Sequence, residues 1–261
     1  MTLALALTLF ILGSTGAFVA GLLGVGGAIV MIPLLLYVPP LLGVGALDIK
    51  SVAGITMVQV FVAAISGTIA HRRGRAVLPP LVWIGGISMG CGSLAGALVS
   101  KYTSQHFLLV IFALMATAAT GLVLVRMESL ELPIFAELVR FSRLRAGVVS
   151  LGVGLGAGLV GAGGAFLLVP LLVVVVGIPL RVTIGSSLGI TALASAAGLA
   201  GKVITGQVPW PLALAVAAGA VPGAQIGAHV SRRLPTRRLK VVLFIIVAAT
   251  AVGTWWDLLV R

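Results

Sequence analysis

Acidic side chains are almost missing from this sequence: Asp and Glu number five in 261 residues, and charged residues of both signs make up 8%. A soluble domain carries about 25%, so there is too little polar surface here to cover a water-soluble globule. The five carboxylates are Asp48, Glu128, Glu131, Glu137 and Asp257, all in loops or at the ends of apolar segments. That placement removes the intramembrane carboxylate relay common in coupled pumps. The single cysteine, Cys91, excludes an internal disulfide and a cysteine-based metal site. Lying in "GCGSLAG", it reads as a small packing residue. No His, Cys, Asp and Glu grouping suits a metal, and no Ser–His–Asp set suits a hydrolase, so neither an enzyme nor a cofactor is expected. The first residues, "MTLALALTLFILGSTGAF", lack a basic leader region and a cleavage site, and are expected to form a retained span.

What the sequence does have is apolar length. Hydrophobic residues make up 60% of it, and runs of about 20 residues, enough to cross the hydrocarbon core as a helix, recur from end to end. The segments run approximately 3–38, 51–70, 80–100, 106–125, 146–178, 183–203, 210–230 and 238–258. The expected fold is an all-α polytopic membrane protein; a β-barrel would need alternating segments of about ten residues. The lipid bilayer is therefore the first partner. A net charge of +12 does not indicate nucleic acid, because the basic residues sit in short loops rather than along one face.

The two ends of the chain repeat each other. Gly21, Gly24, Gly26, Gly27, Ala28 and Pro33 match Gly158, Gly161, Gly163, Gly164, Ala165 and Pro170 at a constant offset of 137. Later, "GSLAGALVS" from Gly92 matches "GAQIGAHVS" from Gly223 at an offset of 131. The expected organisation is an N-terminal transmembrane repeat over 1–125, a polar linker over 126–145 and a C-terminal repeat over 146–261.

Charge relates the halves. If each glycine-broken segment crossed the bilayer once, the loops would place eight Lys and Arg on one side and nine on the other. If each is instead a hairpin, Arg72, Arg73, Arg75, Arg126, Arg140, Arg143, Arg145, Arg181, Arg232, Arg233, Arg237, Arg238 and Lys240 share one side, with Lys50, Lys101, Lys202 and Arg261 opposite. Thirteen against four agrees with the positive-inside bias. The richly basic loops, "HRRGR" at 71–75 and "RRLPTRRLK" at 232–240, occupy exchanged positions in the two halves. Inverted repeats, a transporter architecture, have that property. The linker is then expected in the cytoplasm and both termini outside, with eight spans, or ten if both hairpins cross fully. The basic loops read as topology signals touching anionic lipid, or as a field focusing anions toward an inner vestibule.

A glycine in a helix interior costs up to about 1 kcal/mol relative to alanine, so two clusters of them need a reason. Irregular backbone at membrane depth is tolerated where it is buried in protein or lines a watery cavity. A break at Gly24–Gly27 frees N–H groups at the positive end of a new helix. Two breaks, Gly24, Gly26 and Gly27 with Gly161, Gly163 and Gly164, would form a cradle of donors for an anion near the midplane. The competing reading is that the glycines only permit close helix packing; for Gly92/Gly96 and Gly223/Gly227 that is the expected role.

Few polar side chains lie inside spans. Ser186 and Ser187 in "IGSSLGIT" suit an oxyanion, or bond back to their own helix; the same alternatives stand for Thr56, Gln59 and Thr191. Gln225 and His229, four residues apart, share one helix face. His229 reads as an interfacial residue beside Arg232, or as a proton carrier. The expected substrate shell is the six glycines with Ser186, Ser187, Gln59 and Gln225.

The paired "GLLGVGGAIVMIPLLL" and "GLVGAGGAFLLVPLLV", each followed by a Ser/Thr-containing span, resemble the TauE/SafE family of sulfite exporters and related permeases, as does "IGSSLGIT". The resemblance covers nearly the whole chain. It implies a bacterial inner-membrane transporter for sulfite, thiosulfate or organosulfonate-type anions. In the first half the matching stretch is "SVAGITM" at 51–57, with its polar groups reduced or shifted, which implies asymmetric binding or a different cargo. The readings left beside it are a channel or permease for another small anion or neutral solute, and a membrane assembly or scaffold protein. Whether the chain acts alone or as a homo-oligomer stays open.

Overall fold

The computed structural model describes residues 3–72, 77–126 and 141–260. Helices α1 (Leu3–Leu23), α2 (Ala28–Leu41), α3 (Ile49–Arg72), α4 (Pro79–Val99) and α5 (Gln105–Arg126) form the first half. Helices α6 (Arg143–Val160), α7 (Ala165–Leu171, extended by a π turn to Val176), α8 (Leu180–Ile204), α9 (Trp210–Arg233) and α10 (Thr236–Val260) form the second. The described residues contain no strand. Most of the linker and Arg73, Arg75, Arg140 and Arg261 lie outside the described residues.

Eight of these helices are long and apolar enough to cross a membrane; α2 and α7 are not among them. At 1.5 Å per residue, the 14 residues of α2 rise about 21 Å, short of a core about 30 Å thick. The ten-span alternative does not fit those lengths.

The breaks turn the chain back. Gly27 packs against the carbonyl of Gly16, and Met31 against Gly16, so α2 folds onto α1. Gly164 packs against Ala157 and Val153, so α7 folds onto α6. The proline that follows each break weakens its helix locally. In α2, Pro33 has no N–H for the carbonyl of Ile29, and the Thr250 hydroxyl of α10 donates to that oxygen at 3.2 Å. In α7, Pro170 is followed within two residues by the π turn.

Long helices pair across the halves. α1 lies along α9, and α4 along α6, with α3 and α8 crossing between them. Gly13 meets Val216 while Gly21 meets Ala224 and Ala228, so α1 and α9 run in the same direction. Gly92 meets Leu151 and Gly96 meets Leu155, so α4 and α6 do too. Gly223 and Gly227 meet the carbonyls of Ser14 and Phe18. Each GxxxG pair thus sits where a Cβ would enter backbone, the close-packing role expected of it.

On α9, small residues make up most of the inward face. Ala213, Ala217, Ala220, Ala224 and Ala228 are buried while Leu214, Val221 and Ile226 face outward. Cys91 also faces outward from α4. The packing role expected of it is overturned, because Gly92 and Gly96 present the tight face of that helix instead.

The two ends of the bundle differ in charge. Arg181 donates to the carbonyl of Leu234 at 3.0 Å, bringing the start of α8 to the α9–α10 turn. Arg143, Arg145, Arg232, Arg233, Arg237, Arg238 and Lys240 gather at that end with it. At the opposite end, Lys50 donates to the carbonyl of Lys101 at 3.0 Å. The first hairpin opens toward this lysine end and the second toward the arginine end, since α1 starts beside the start of α9 and α6 beside the start of α4.

Candidate functional site

The six break glycines all adopt left-handed backbone: φ is 72°, 76° and 78° at Gly24, Gly26 and Gly27, and 76°, 63° and 67° at Gly161, Gly163 and Gly164. L-residues with a side chain rarely take that conformation, so the repeated spacing encodes the same three-step turn twice. Most of these glycines are also hemmed in. A Cβ would strike Ile184 at Gly24, the Gly16 carbonyl at Gly27, the Ala53 carbonyl at Gly161 and Val60 at Gly163.

The breaks come together at the centre of the bundle. A methyl placed on Gly26 would lie 3.4 Å from Cβ of Ala165, and 3.5 Å from both Val60 and Thr191. Val25, Ala28, Ala162 and Ala165 are all fully buried there. The first N–H groups of α2 have no acceptor within their own helix, and they start at this crossing.

Each break is held by a hydroxyl from the other half. Ser187 of α8 reaches the carbonyl of Gly24 at 2.8 Å as well as that of Ile184 in its own helix at 3.0 Å. Thr56 of α3 reaches the carbonyl of Gly161 at 2.9 Å as well as those of Val52 at 2.9 Å and Ala53 at 3.2 Å, each hydroxyl sharing its one proton among its acceptors. The glycines are 137 apart and the hydroxyl residues 131 apart, the same two offsets as the sequence repeat. The first half's "SVAGITM" therefore does supply the equivalent hydroxyl, shifted to Thr56. Ser186 is engaged differently: its Oγ accepts from the N–H of Leu78 at 2.9 Å, just before α4. Ser187 thus secures backbone with its hydroxyl, whereas Ser186 accepts from backbone through its oxygen.

Among the described residues, four buried side chains have polar atoms without a protein partner, Gln59, Thr191, Ser93 and Ser150, and the first two lie at the first break. Gln59 is fully buried, and neither its Nε2 nor its Oε1 has a protein partner. Its Nε2 lies 3.1 Å from where a Cβ on Gly27 would be, at the N-terminus of α2. Thr191 is also fully buried with its hydroxyl unpartnered, and its methyl carbon Cγ2 lies 3.5 Å from where a Cβ on Gly26 would be. An unpartnered buried polar group costs about 1–3 kcal/mol, and two of them stand beside one break. Together with the α2 backbone they offer neutral donors, which can hold an anion or a hydrogen-bond acceptor without placing a fixed charge at the crossing.

Gln225 does not join them. It is exposed on the outer face of α9, because the neighbouring Gly223, Ala224, Gly227 and Ala228 turn inward against α1. It is removed from the expected shell. His229 is exposed too, with Nδ1 3.4 Å from Arg232, as the interfacial reading has it. Among the described residues, no group of three or more His, Cys, Asp or Glu is placed to hold a metal.

Lys202, expected at the end of the apolar segment 183–203, lies in the last turn of α8 and is fully buried. Nothing in its sequence surroundings marks this. Its partners come from the ends of α4 and α6 and the turn after α8, which only the assembled bundle brings together.

Comparison with known proteins fits this architecture. Residues 9–254 match the family described as "Sulfite exporter TauE/SafE". A Bacillus subtilis protein named "Probable membrane transporter protein YunE" is 27% identical over 263 residues, covering 92% of this chain and 93% of that one. A Xylella fastidiosa protein named "Probable membrane transporter protein" is 31% identical over 261 residues, covering 94% of each. A Haemophilus influenzae protein of the same name is 24% identical over 262 residues, covering 92% of this chain and 94% of that one. No solved structure matches. The chain belongs to the TauE/SafE family, and it is a multi-pass membrane transporter.

Proposed function

We propose, from membership of the TauE/SafE family as the premise, that this chain moves a small sulfur oxyanion of the sulfite, thiosulfate or organosulfonate type across the bacterial inner membrane. The anion is held where the two glycine breaks meet, by the free N–H groups opening α2, the Gln59 amide and the Thr191 hydroxyl. The observation that carries this reading is that Gln59 and Thr191 are buried beside Gly26 and Gly27 with unpartnered donors. A bound oxyanion, with several acceptor oxygens, answers both at once.

The arginine end faces the cytoplasm in this reading, in keeping with positive-inside bias, and both termini lie at the lysine end. Residues 1–125 and 146–261 are inverted repeats about the linker 126–145. The opposite opening of the two hairpins and the exchanged helix pairs support that relation. The residues at the crossing are buried, which supports an occluded step of alternating access. Small rocking of the α1–α9 and α4–α6 pairs about α3 and α8 would open it to one end at a time.

The test is uptake of radiolabelled sulfite into proteoliposomes, with and without a pH gradient, against unlabelled anions. Saturable uptake that thiosulfate or sulfonates compete for is expected. Linear, non-saturating flux would identify a channel. Folded protein that transports no sulfur anion would overturn the cargo, and another small anion or neutral solute would take its place.

A further inference from the structure

A fully buried ammonium is expensive unless a negative charge neutralises it. Lys202 is such a group: its Nζ donates to Ser100 Oγ at 2.7 Å, Gln207 Oε1 at 3.0 Å and the carbonyl of Leu159 at 3.3 Å. Three neutral acceptors match its three N–H bonds but leave its charge. A second cation is anchored on the neighbouring residue of the same turn. Lys50 donates to the carbonyl of Lys101, the residue after Ser100, so two ammonium groups are fixed on consecutive residues of the turn following α4. The nearby Asp48 carboxylate accepts from the backbone N–H groups of Lys50 and Ser51 instead.

The position matters as much as the charge. Leu159 lies two residues before Gly161, whose break is held by Thr56, and Gln207 packs on Gly54 of α3. Lys202 therefore sits between the second break and the lysine end of the bundle. The C-terminal dipoles of α6 and α8 help to hold an ammonium there, and would do so whether or not it ever met an anion. A purely structural lysine, however, gives no reason for bringing Lys50 beside it.

We propose that Lys202, with Lys50 behind it, is an anion-binding station at the lysine end of the transport path. It takes a small oxyanion that exchanges with the crossing of the breaks, with Ser100 and Gln207 exchanging their bonds to the ammonium for bonds to the ligand. This inference rests on the anion-transport reading above, and goes beyond it by assigning a fixed positive charge to the path. A charged station at one end and neutral donors at the centre make entry selective for anions without trapping them.

The experiment is thermal unfolding of the detergent-purified full chain, titrated with sulfite, thiosulfate, an alkanesulfonate, phosphate and chloride. It compares the native protein, K202Q and S100A. K202Q keeps an amide donor but removes the charge; S100A keeps the charge and loses one acceptor. The expected result is anion stabilisation in the native protein, weakened about tenfold or more in K202Q, with S100A melting lower and its anion response weakened less than that of K202Q. Equal concentration dependence in native protein and K202Q would overturn the station and leave the transport reading standing. Stabilisation by phosphate or chloride alone, lost in K202Q, would uphold the station and overturn the sulfur cargo. No stabilisation of the native protein by any of the five anions would overturn both. Should K202Q not fold, the same titration of K202R and K50Q decides: retained response in K202R with weakened response in K50Q supports the station, and native responses in both overturn it.

Discussion

The Ser187 hydroxyl of α8 donates to the carbonyl of Gly24 in the opposite half at 2.8 Å. Gly24 is the last residue before the first break loses helical hydrogen bonding, its own N–H still reaching Ala20. Ser187 fixes the turn at the point where α1 lets go, as Thr56 does for Gly161. The breaks are therefore preorganised by the partner half, and neither half builds its own site.

Replacing either hydroxyl leaves a buried carbonyl with one partner fewer. Ser187→Ala and Thr56→Ala should each lower stability by about 1–3 kcal/mol and reduce transport. Because the two bonds are equivalents, the two variants should behave alike. Melting temperature and proteoliposome flux measure this; a Ser187→Ala protein with native stability and flux would remove the clamp from the mechanism.

The glycines separate into two kinds of probe. Alanine at Gly27 or Gly161 drives a Cβ into backbone carbonyls, so loss of folded protein is expected, not a folded but silent transporter. At Gly26 the nearest atoms stand at 3.4–3.5 Å. Gly26→Ala should cost only the left-handed strain of about 1–2 kcal/mol and still fold, while the methyl narrows the crossing and cuts flux. Gly177, at φ 81° with open space around it, is the control: its alanine variant carries similar strain with native KM.

Gln59 offers a trade of stability against function. Gln59→Leu removes two unpartnered buried polar atoms, so the empty protein should gain stability, up to about 1–3 kcal/mol, while transport is lost. Thr191→Val, of the same shape, should leave the melting temperature unchanged or raised and increase KM. A Gln59→Leu variant that transports normally would remove this side chain from the site.

Asp48 caps α3 outside the spans, its carboxylate accepting from the N–H groups of Lys50 at 3.1 Å and Ser51 at 3.2 Å. Partial burial pushes its pKa up, but the Ser51 side chain and these N–H groups outweigh that and hold it below the ordinary carboxylate value. A depressed carboxylate stabilises the fold above its unfolded pKa, and that contribution disappears as pH falls through the folded value. Asp48→Ala should lose about 1 kcal/mol at neutral pH. The gap between the two proteins should close in acid, read by melting temperature against pH.

The glycine spacing and the proline after it determined the breaks by themselves, because only glycine takes three left-handed steps in four residues at low cost and proline prevents the helix from closing its next bond. Apolar length determined the eight spans, since hydrocarbon demands about 20 residues of helix and little else. The basic loops likewise marked one end of the bundle. What the tertiary structure decided is which face of each span turns inward. In lipid both faces are apolar, so Ala224 and Ile226 differ in size rather than polarity, and Gln225 and Cys91 face outward with no signal in the sequence. The use of each hydroxyl was equally hidden: Ser187 and Thr191 lie one turn apart on α8, yet one is engaged with Gly24 and the other is unpartnered, according to what the opposite half brings near. Lys202 shows the same limit most plainly. Two residues from its helix end, it had every local reason to reach solvent, and acceptors from Ser100, Leu159 and Gln207 enclosed it instead.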